Sequence, residues 1–197
     1  MTRLRIALVA VLTCALAFVA AHAARAVDVE GVDFPAQVVP APGAAPLVLS
    51  GAGVRRILFF DVYAVGLYLP ALAPSAESAI SSPGRKRASI AMLRDVDAAQ
   101  FVGSFEKSLR ANHDEAAMQA LAKSVARFES IFTSLGVVKT GTRIAIDSVP
   151  GTGTVVAIDG TPREPIADPA FYPALLRNWL GEHPVSTDLK RALLGAQ

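Results

Sequence analysis

The sequence LSGAGVRRILFFDVYAVGLYL, from Leu49 to Leu69, predicts a backbone bend that leads into a long β-strand. Gly51 and Gly53 allow the chain to bulge or bend before the strand. From Arg55 onward aromatic and β-branched residues dominate, and alternate positions in the second half form two separate faces. Pro70 ends the run. We therefore expect a well-formed strand with an arginine at its head.

The segments around this strand predict further strands, one of them at a sheet edge because Pro35 interrupts it. They span Val27 to Val39, Ala88 to Leu93, Arg143 to Val149 and Thr154 to Ile158. The last two flank the hairpin turn Pro150-Gly151-Thr152-Gly153. Asp159-Gly160 follows them and is a dipeptide that a type I′ turn prefers.

Helices are predicted in the middle and at the end of the chain. Asp97 and Asp114 are suited to cap two successive helices, and Ser186 to cap the last one. The helix after Asp114 carries one apolar stripe at alternating intervals of three and four residues: Met118, Leu121, Val125, Phe128 and Phe132. Strands followed by helices, then a hairpin and more helices, indicate an α+β domain whose antiparallel sheet has one face covered by helices.

The first 26 residues predict a cleavable export signal. Arg3 and Arg5 precede an uncharged, almost wholly apolar run, and small residues then suit cleavage after Ala23 or Ala26. The run is shorter than the roughly 20 residues that span a bilayer, so a retained membrane anchor is the less favoured alternative. We expect a secreted or periplasmic protein with one domain over residues 27–197.

Cleavage after Ala26 would leave 16 basic and 17 acidic residues, because it removes three arginines. Such a nearly neutral domain has no broad basic face for nucleic acid or anionic lipid, and we expect no stable membrane insertion after cleavage. The single cysteine, Cys14, would be lost as well. His113 and His183 have no neighbours at metal-ligand spacing, so neither a metal nor another cofactor is predicted. The basic cluster at residues 85–87 is interpreted as a solvated loop.

The block GEHPVSTDLKR, from Gly181 to Arg191, resembles the C-terminal signature of the chalcone isomerase family. The glycine-rich turn with Arg55 and the strand after it resemble that family's β-hairpin, and Phe105-Glu106-Lys107 fits the helix between the two motifs. The resemblance implies an open-faced β-sandwich, in which an antiparallel sheet packs against a layer of helices and the ligand lies between them. The family contains chalcone-cyclising enzymes, non-catalytic fatty-acid binders and exported bacterial relatives.

The resemblance places candidate ligand-binding residues at Arg55, Tyr63, Asn178 and Trp179. Arg55 matches the family's arginine, and Tyr63 falls where the plant enzymes have a threonine. No tyrosine lies between Tyr68 and Tyr172, so the enzymes' helix tyrosine has no counterpart, which favours ligand binding over cyclisation. On one straight strand Arg55 and Tyr63 would be about 26 Å apart at ~3.3 Å per residue. They share a ligand only if the chain bends between them.

Three functions remain open on these observations. The first is extracytoplasmic, non-catalytic binding of a fatty acid or similar amphipathic carboxylate, whose head group pairs with the Arg55 guanidinium. The second is an intramolecular lyase or isomerase of chalcone isomerase type, in which Arg55 stabilises an oxyanion and Tyr63 supplies or orients a proton. The third is a structural or partner-binding module whose cleft is filled by its own side chains. The sequence does not determine the oligomeric state.

Overall fold

The structure, a computed structural model, describes residues 26–195. The predicted export signal therefore lies outside the described residues, apart from Ala26. The strands are β1 (Val27–Val29), β2 (Val32–Phe34), β3 (Gln37–Val38), β4 (Leu47–Ile57), β5 (Phe60–Leu69), β6 (Lys86–Met92), β7 (Val96–Asp97), β8 (Val137–Val138), β9 (Arg143–Val149), β10 (Gly153–Ile158) and β11 (Thr161–Pro162).

Seven of these strands form one antiparallel sheet in the order β11-β10-β9-β6-β5-β4-β3. The other four form two short ribbons, β1-β2 and β7-β8. The turn between β10 and β11 has positive φ angles at both Asp159 (48°) and Gly160 (78°), as a type I′ turn requires.

Five helices are described: α1 (Ala76–Ser81), α2 (Ala98–Ala111), α3 (Glu115–Thr133), α4 (Phe171–Leu180) and α5 (Thr187–Leu193). The three predicted caps are confirmed. The side chains of Asp97, Asp114 and Ser186 each accept a hydrogen bond from a backbone N–H of the first helical turn. No helix within residues 26–195 is long and apolar enough to cross a membrane.

The main hydrophobic core lies between the large sheet and the helices. All five residues of the stripe predicted on α3 are buried in it. A smaller cluster occupies the opposite face of the sheet, where Phe34 of β2 packs against Gly66 and next to the buried Tyr68. The expected α+β domain is therefore confirmed. The ribbon β1-β2 covers a small part of the sheet face that points away from the helices.

The glycines of the opening sequence allow α5 to approach the sheet closely. The pairing of β4 with β5 shifts register between Leu49 and Gly51, which is the predicted bulge. A Cβ on Gly51 would lie 2.0 Å from the carbonyl oxygen of Ala192. Any larger residue at this position would therefore push α5 away from β4.

Three local expectations are wrong. Arg55 to Leu69 is not one strand, because the chain reverses at Leu58 and Phe59 and the two halves pair as β4 and β5. Val27 to Val39 is not one edge strand, since it divides into β1, β2 and β3, of which β3 forms the edge of the main sheet.

The third correction concerns the basic cluster at residues 85–87, which is not a solvated loop. Lys86 and Arg87 belong to β6, and Lys86 is 3% exposed. Arg87 forms a two-pronged ion pair with Asp147 on β9, with Nε–Oδ1 and Nη2–Oδ2 distances of 2.6 and 2.7 Å. The carboxylate of Asp147 compensates the arginine charge, and this pairing lets a basic segment run through the sheet.

Candidate ligand-binding site

A cavity of about 360 Å³ lies between the large sheet and the helices α2, α3 and α4. Its size falls within the roughly 300–1,000 Å³ range of small-molecule sites. The cleft is therefore not filled by the protein's own side chains. The lining residues are Arg55, Ile57, Phe60, Val62, Tyr63, Ile90, Arg94, Asp95, Val96, Gln100, Phe101, Ser104, Phe105, Ser108, Phe128, Ile146, Leu175, Asn178, Trp179 and Val185.

The β4–β5 hairpin brings Arg55 and Tyr63 together. Because the chain reverses at Leu58 and Phe59, Arg55 and Tyr63 are direct partners across the two strands. Side chains at such paired positions lie on the same face of the sheet and within contact distance. The chain therefore makes the bend that a shared ligand requires, and both side chains line the cavity.

Trp179 on α4 holds the hydroxyl group of Tyr63. The indole Nε1 of Trp179 donates a hydrogen bond of 2.9 Å to the Tyr63 oxygen. Although part of the Tyr63 ring is exposed, its hydroxyl group is desolvated inside the protein, which raises the pKa above its ordinary value of 10.0. The bond from Trp179 and the charge of Arg55 oppose this rise but do not cancel it. Tyr63 is therefore protonated at neutral pH, and its own O–H is left to donate to another group.

The guanidinium group of Arg55 has unused hydrogen-bonding capacity. Its Nη1 donates to the backbone carbonyl of Arg56 at 2.6 Å. Among residues 26–195, no acidic side chain forms an ion pair with it, whereas Arg56 beside it pairs with both Glu30 and Asp61. Since guanidinium offers several N–H donors in a planar fork, Arg55 can still bind a carboxylate in two-pronged fashion.

Two buried polar atoms of residues that line the cavity have no hydrogen-bond partner within the described chain. They are Oδ1 of Asn178 and Oγ of Ser108. A buried polar atom without a hydrogen bond costs about 1–3 kcal/mol, so both positions favour a bound polar group. Ser108 continues a line of uncharged polar residues along α2, after Gln100 and Ser104, that faces the same space.

The rest of the inner wall is apolar and largely aromatic. Phe105 on α2 packs against Phe128 on α3 with ring centroids 4.5 Å apart, and Phe128 packs against Phe171 at the start of α4 at 5.6 Å. Ile146 and Leu175 add aliphatic surface. Phe128 therefore lines the pocket as well as belonging to the core. The cavity combines hydrogen-bonding groups on the Arg55 side with an apolar interior, an arrangement that suits an amphipathic molecule.

The four residues suggested from the sequence, Arg55, Tyr63, Asn178 and Trp179, line this one cavity. Sequence reasoning missed Ser108 and Arg94. Ser108 stands one turn before the end of α2, where its spacing from Ser104 was an available but weak signal. Arg94 lies with its guanidinium carbon 4.4 Å from the ring centroid of Phe60, a cation–π contact that no sequence motif indicates.

No group of three or more potential metal ligands occurs within residues 26–195. Asp95 lies on the cavity rim, but its carboxylate is engaged by Thr140 and Lys139. These contacts, first of all the bond from the Thr140 backbone, lower the pKa of Asp95. The one acidic residue among those that line the cavity is therefore already paired with Lys139.

Comparison with known proteins decides the family. A family model described as chalcone isomerase-like matches residues 26–195. The chain belongs to the chalcone isomerase-like family. Among solved structures, this chalcone isomerase-like protein is similar to the fatty-acid binding protein AtFAP1 of Arabidopsis thaliana, with a TM-score of 0.66 and 18% sequence identity. The match covers 83% of this chain and 92% of that one.

At this level of identity the likeness concerns the fold, and it confirms the expected chalcone isomerase-like architecture. No significant match is found among curated proteins. The resemblance inferred from Gly181 to Arg191 and from the glycine-rich turn is thus confirmed for the family. The roles of individual residues in this chalcone isomerase-like protein rest on the geometry of its own cavity.

Proposed function

We propose that this protein is a non-catalytic binding protein for a fatty acid or a similar long-chain carboxylate, and that it acts outside the cytoplasm. The observation that carries the proposal is the composition of the cavity. Arg55, Tyr63 and Asn178 offer charge and hydrogen bonds next to an interior formed by phenylalanine, leucine and isoleucine side chains. The fatty-acid binding protein AtFAP1, which shares the fold, supports a ligand of this class for the same architecture.

The head group of such a ligand has a defined set of partners. The Arg55 guanidinium supplies a charge-assisted, two-pronged contact to one carboxylate. The Tyr63 hydroxyl accepts from Trp179 and is protonated, so it donates to a carboxylate oxygen. The tail would lie against Phe105 and Phe128, where each buried methylene contributes about 0.8 kcal/mol.

The raised pKa of Tyr63 also bears on catalysis. A general base must be deprotonated near neutral pH. Burial raises the pKa of Tyr63, so its hydroxyl keeps its proton there. This favours binding over a reaction in which the phenolate abstracts a proton.

Extracytoplasmic action is supported by the basic and apolar segments of the first 26 residues. Sequencing the N-terminus of the exported protein tests it, with Ala24 or Val27 expected as the first residue.

Intrinsic fluorescence offers a direct binding assay, because Trp179 is the single tryptophan of the sequence and lines the cavity. Titration of the purified protein with saturated fatty acids from octanoate to stearate should give saturable changes in its emission. The methyl ester of the best ligand should bind more weakly, since it carries no charge for Arg55. Arg55→Ala should lower the affinity at least tenfold, whereas Arg163→Ala, at an exposed position outside the cavity, should not. Absence of saturable binding, or an Arg55→Ala variant with wild-type affinity, refutes the proposal.

The pairing of Arg55 with Tyr63 supports one alternative, an intramolecular lyase or isomerase. A fixed positive charge can stabilise a developing oxyanion, and a protonated phenol can act as a general acid. A chalcone cyclisation assay distinguishes the two functions. A rate above the uncatalysed reaction that disappears in Tyr63→Phe would favour the enzyme, and a rate equal to the background would exclude it.

A further inference from the structure

The end of the β4–β5 hairpin is an exposed apolar surface. We call Ile57, Leu58, Phe59 and Phe60 the hairpin tip. Their exposed fractions are 45%, 83%, 95% and 54%, so four consecutive apolar side chains face water. The other large exposed apolar residues within the described chain, such as Val39 and Leu72, are isolated in sequence. A contiguous exposed apolar group of this kind marks an interaction site more often than a lone residue does.

The backbone of the hairpin tip is also unusual. Leu58 has a φ angle of 54°, in the left-handed region that glycine or asparagine normally occupies. A leucine there strains the backbone, and its side chain gains no burial in return. Strain without burial is the arrangement expected of a side chain whose contact lies outside the folded chain.

The charges beside the hairpin tip favour an anionic partner. Arg55 and Arg94 flank the tip and form no ion pair within residues 26–195, although Arg94 packs on Phe60. Arg56 pairs with Glu30 and Asp61, and Lys139 pairs with Asp95. With Arg55 and Arg94 included, these groups leave one net positive charge next to four exposed apolar side chains.

We propose that the hairpin tip docks this protein reversibly onto a lipid bilayer that contains anionic lipids. Leu58 and Phe59 would enter the boundary between head groups and acyl chains, and Arg55 and Arg94 would contact lipid phosphates. A second copy of this chain is a poorer partner, since a specific protein interface uses roughly 20–30 residues on each side and the tip offers four.

The hairpin tip adjoins the cavity, so docking would also position the cavity relative to the membrane. Ile57 and Phe60 belong both to the tip and to the cavity lining. Docking would therefore hold the mouth of the cavity at the membrane surface, where a lipophilic molecule could enter without crossing water. The docking surface shares Arg55 with the proposed ligand site, but Leu58 and Phe59 lie outside the cavity lining, so substitutions there test docking separately from fatty-acid binding.

Co-sedimentation with sucrose-loaded vesicles tests the proposal. The wild-type protein should bind vesicles of equal parts phosphatidylglycerol and phosphatidylcholine, and bind pure phosphatidylcholine at least fivefold less. Leu58→Asp and Phe59→Asp should each reduce binding at least tenfold. Leu72→Asp, which places the same charge at another exposed leucine, should bind as the wild type does. All three substitutions lie at exposed positions, so unchanged melting temperatures serve as the folding control.

A gain-of-signal variant provides a second readout. Phe59→Trp should show a blue shift of its emission on addition of anionic vesicles and quenching by brominated acyl chains, each measured as the difference from the wild type, in which Trp179 alone emits. Tip variants that bind vesicles as the wild type does would overturn the proposal, as would an emission of the introduced tryptophan that vesicles leave unchanged. If the wild type instead forms a dimer that Phe59→Asp dissociates, without vesicle binding, the tip is an interface between copies. Fatty-acid titration of Leu58→Asp in solution shows separately whether the cavity still binds.

Discussion

The indole Nε1 of Trp179 donates a hydrogen bond of 2.9 Å to the hydroxyl oxygen of Tyr63, which lies 116 residues earlier in the chain. This contact joins helix α4 to the β4–β5 hairpin across the cavity. It also determines the chemistry of Tyr63, because an oxygen that already accepts a hydrogen bond directs its own proton elsewhere. Arg55 lies across the hairpin from Tyr63, so an anion that accepts a hydrogen bond from the Tyr63 hydroxyl can also contact the Arg55 guanidinium.

Tyr63→Phe removes the hydroxyl group and should weaken fatty-acid binding about tenfold. The reason is the loss of one hydrogen bond to a charged group, which contributes about 1.5–3 kcal/mol, offset in part by water entering its place. Isothermal titration calorimetry with the best ligand measures the change. Tyr172→Phe is the matched control, because Tyr172 does not line the cavity. Equal affinities of the Tyr63→Phe variant and the wild type would show that Tyr63 does not touch the ligand.

The hairpin that unites Arg55 with Tyr63 could not be read from its residues. Turns are recognised by glycine, asparagine, aspartate or proline, and Leu58 and Phe59 are none of these. Length was the available signal, since the run from Arg55 to Leu69 exceeds the roughly 3–10 residues of ordinary strands. The caps at Asp97, Asp114 and Ser186 and the stripe on α3 were predictable, because they depend on local spacing alone.

The buried pair of Arg87 and Asp147 was hidden for a related reason. The two residues are 60 positions apart, and only the pairing of β6 with β9 brings them opposite each other. Likewise, the sequence allowed Met118, Phe128 and Phe132 to line a pocket or to fill a core, and of these three only Phe128 lines the cavity. Periodicity identifies which side of a helix is buried, but it does not show where packing leaves space.

Asp147→Asn should destabilise the protein by about 3 kcal/mol, because it leaves the Arg87 guanidinium without its counter-charge in a largely buried position. Glu164→Gln, which breaks the exposed pair of Glu164 with Arg127, should cost less than about 1 kcal/mol. Urea denaturation of both variants measures the difference. If the two variants lose similar free energies of unfolding, the buried ion pair of Arg87 with Asp147 contributes no more than an exposed one.

Gly51→Ala should lower the free energy of unfolding by about 2 kcal/mol, since the new Cβ would lie 2.0 Å from the Ala192 carbonyl oxygen and force α5 to move. Gly103→Ala is the matched control. Gly103 lies within α2, and a Cβ added there would have no atom within 4 Å, so alanine should stabilise the protein by about 0.5–1 kcal/mol. Thermal unfolding followed by circular dichroism should shift in opposite directions for the two variants. A Gly51→Ala variant as stable as the wild type would contradict the close approach of α5.

The stability of the protein should rise with pH between about 8 and 10. Lys86 is buried with its Nζ donating to the Ile80 carbonyl, and desolvation lowers its pKa from 10.5 to about 8. Above pH 8 the native state loses this proton while the unfolded chain retains it. The unfolded state then binds more protons, so the free energy of unfolding increases with pH, by about 2 kcal/mol up to pH 10.

Buried tyrosines reverse this trend at higher pH. Burial raises the pKa of Tyr63, Tyr68 and Tyr172 above 10.0, that of Tyr68 to about 12, so the unfolded chain loses these phenol protons first and stability falls as pH rises from 10 to 12. Urea denaturation at intervals from pH 7 to 11 should therefore show a maximum near pH 10. In Lys86→Met the rise between pH 8 and 10 should vanish and the variant should be more stable than the wild type at pH 7, whereas Lys123→Met, on α3, should keep the wild-type profile. A rise of the same size in Lys86→Met would assign the effect to another group.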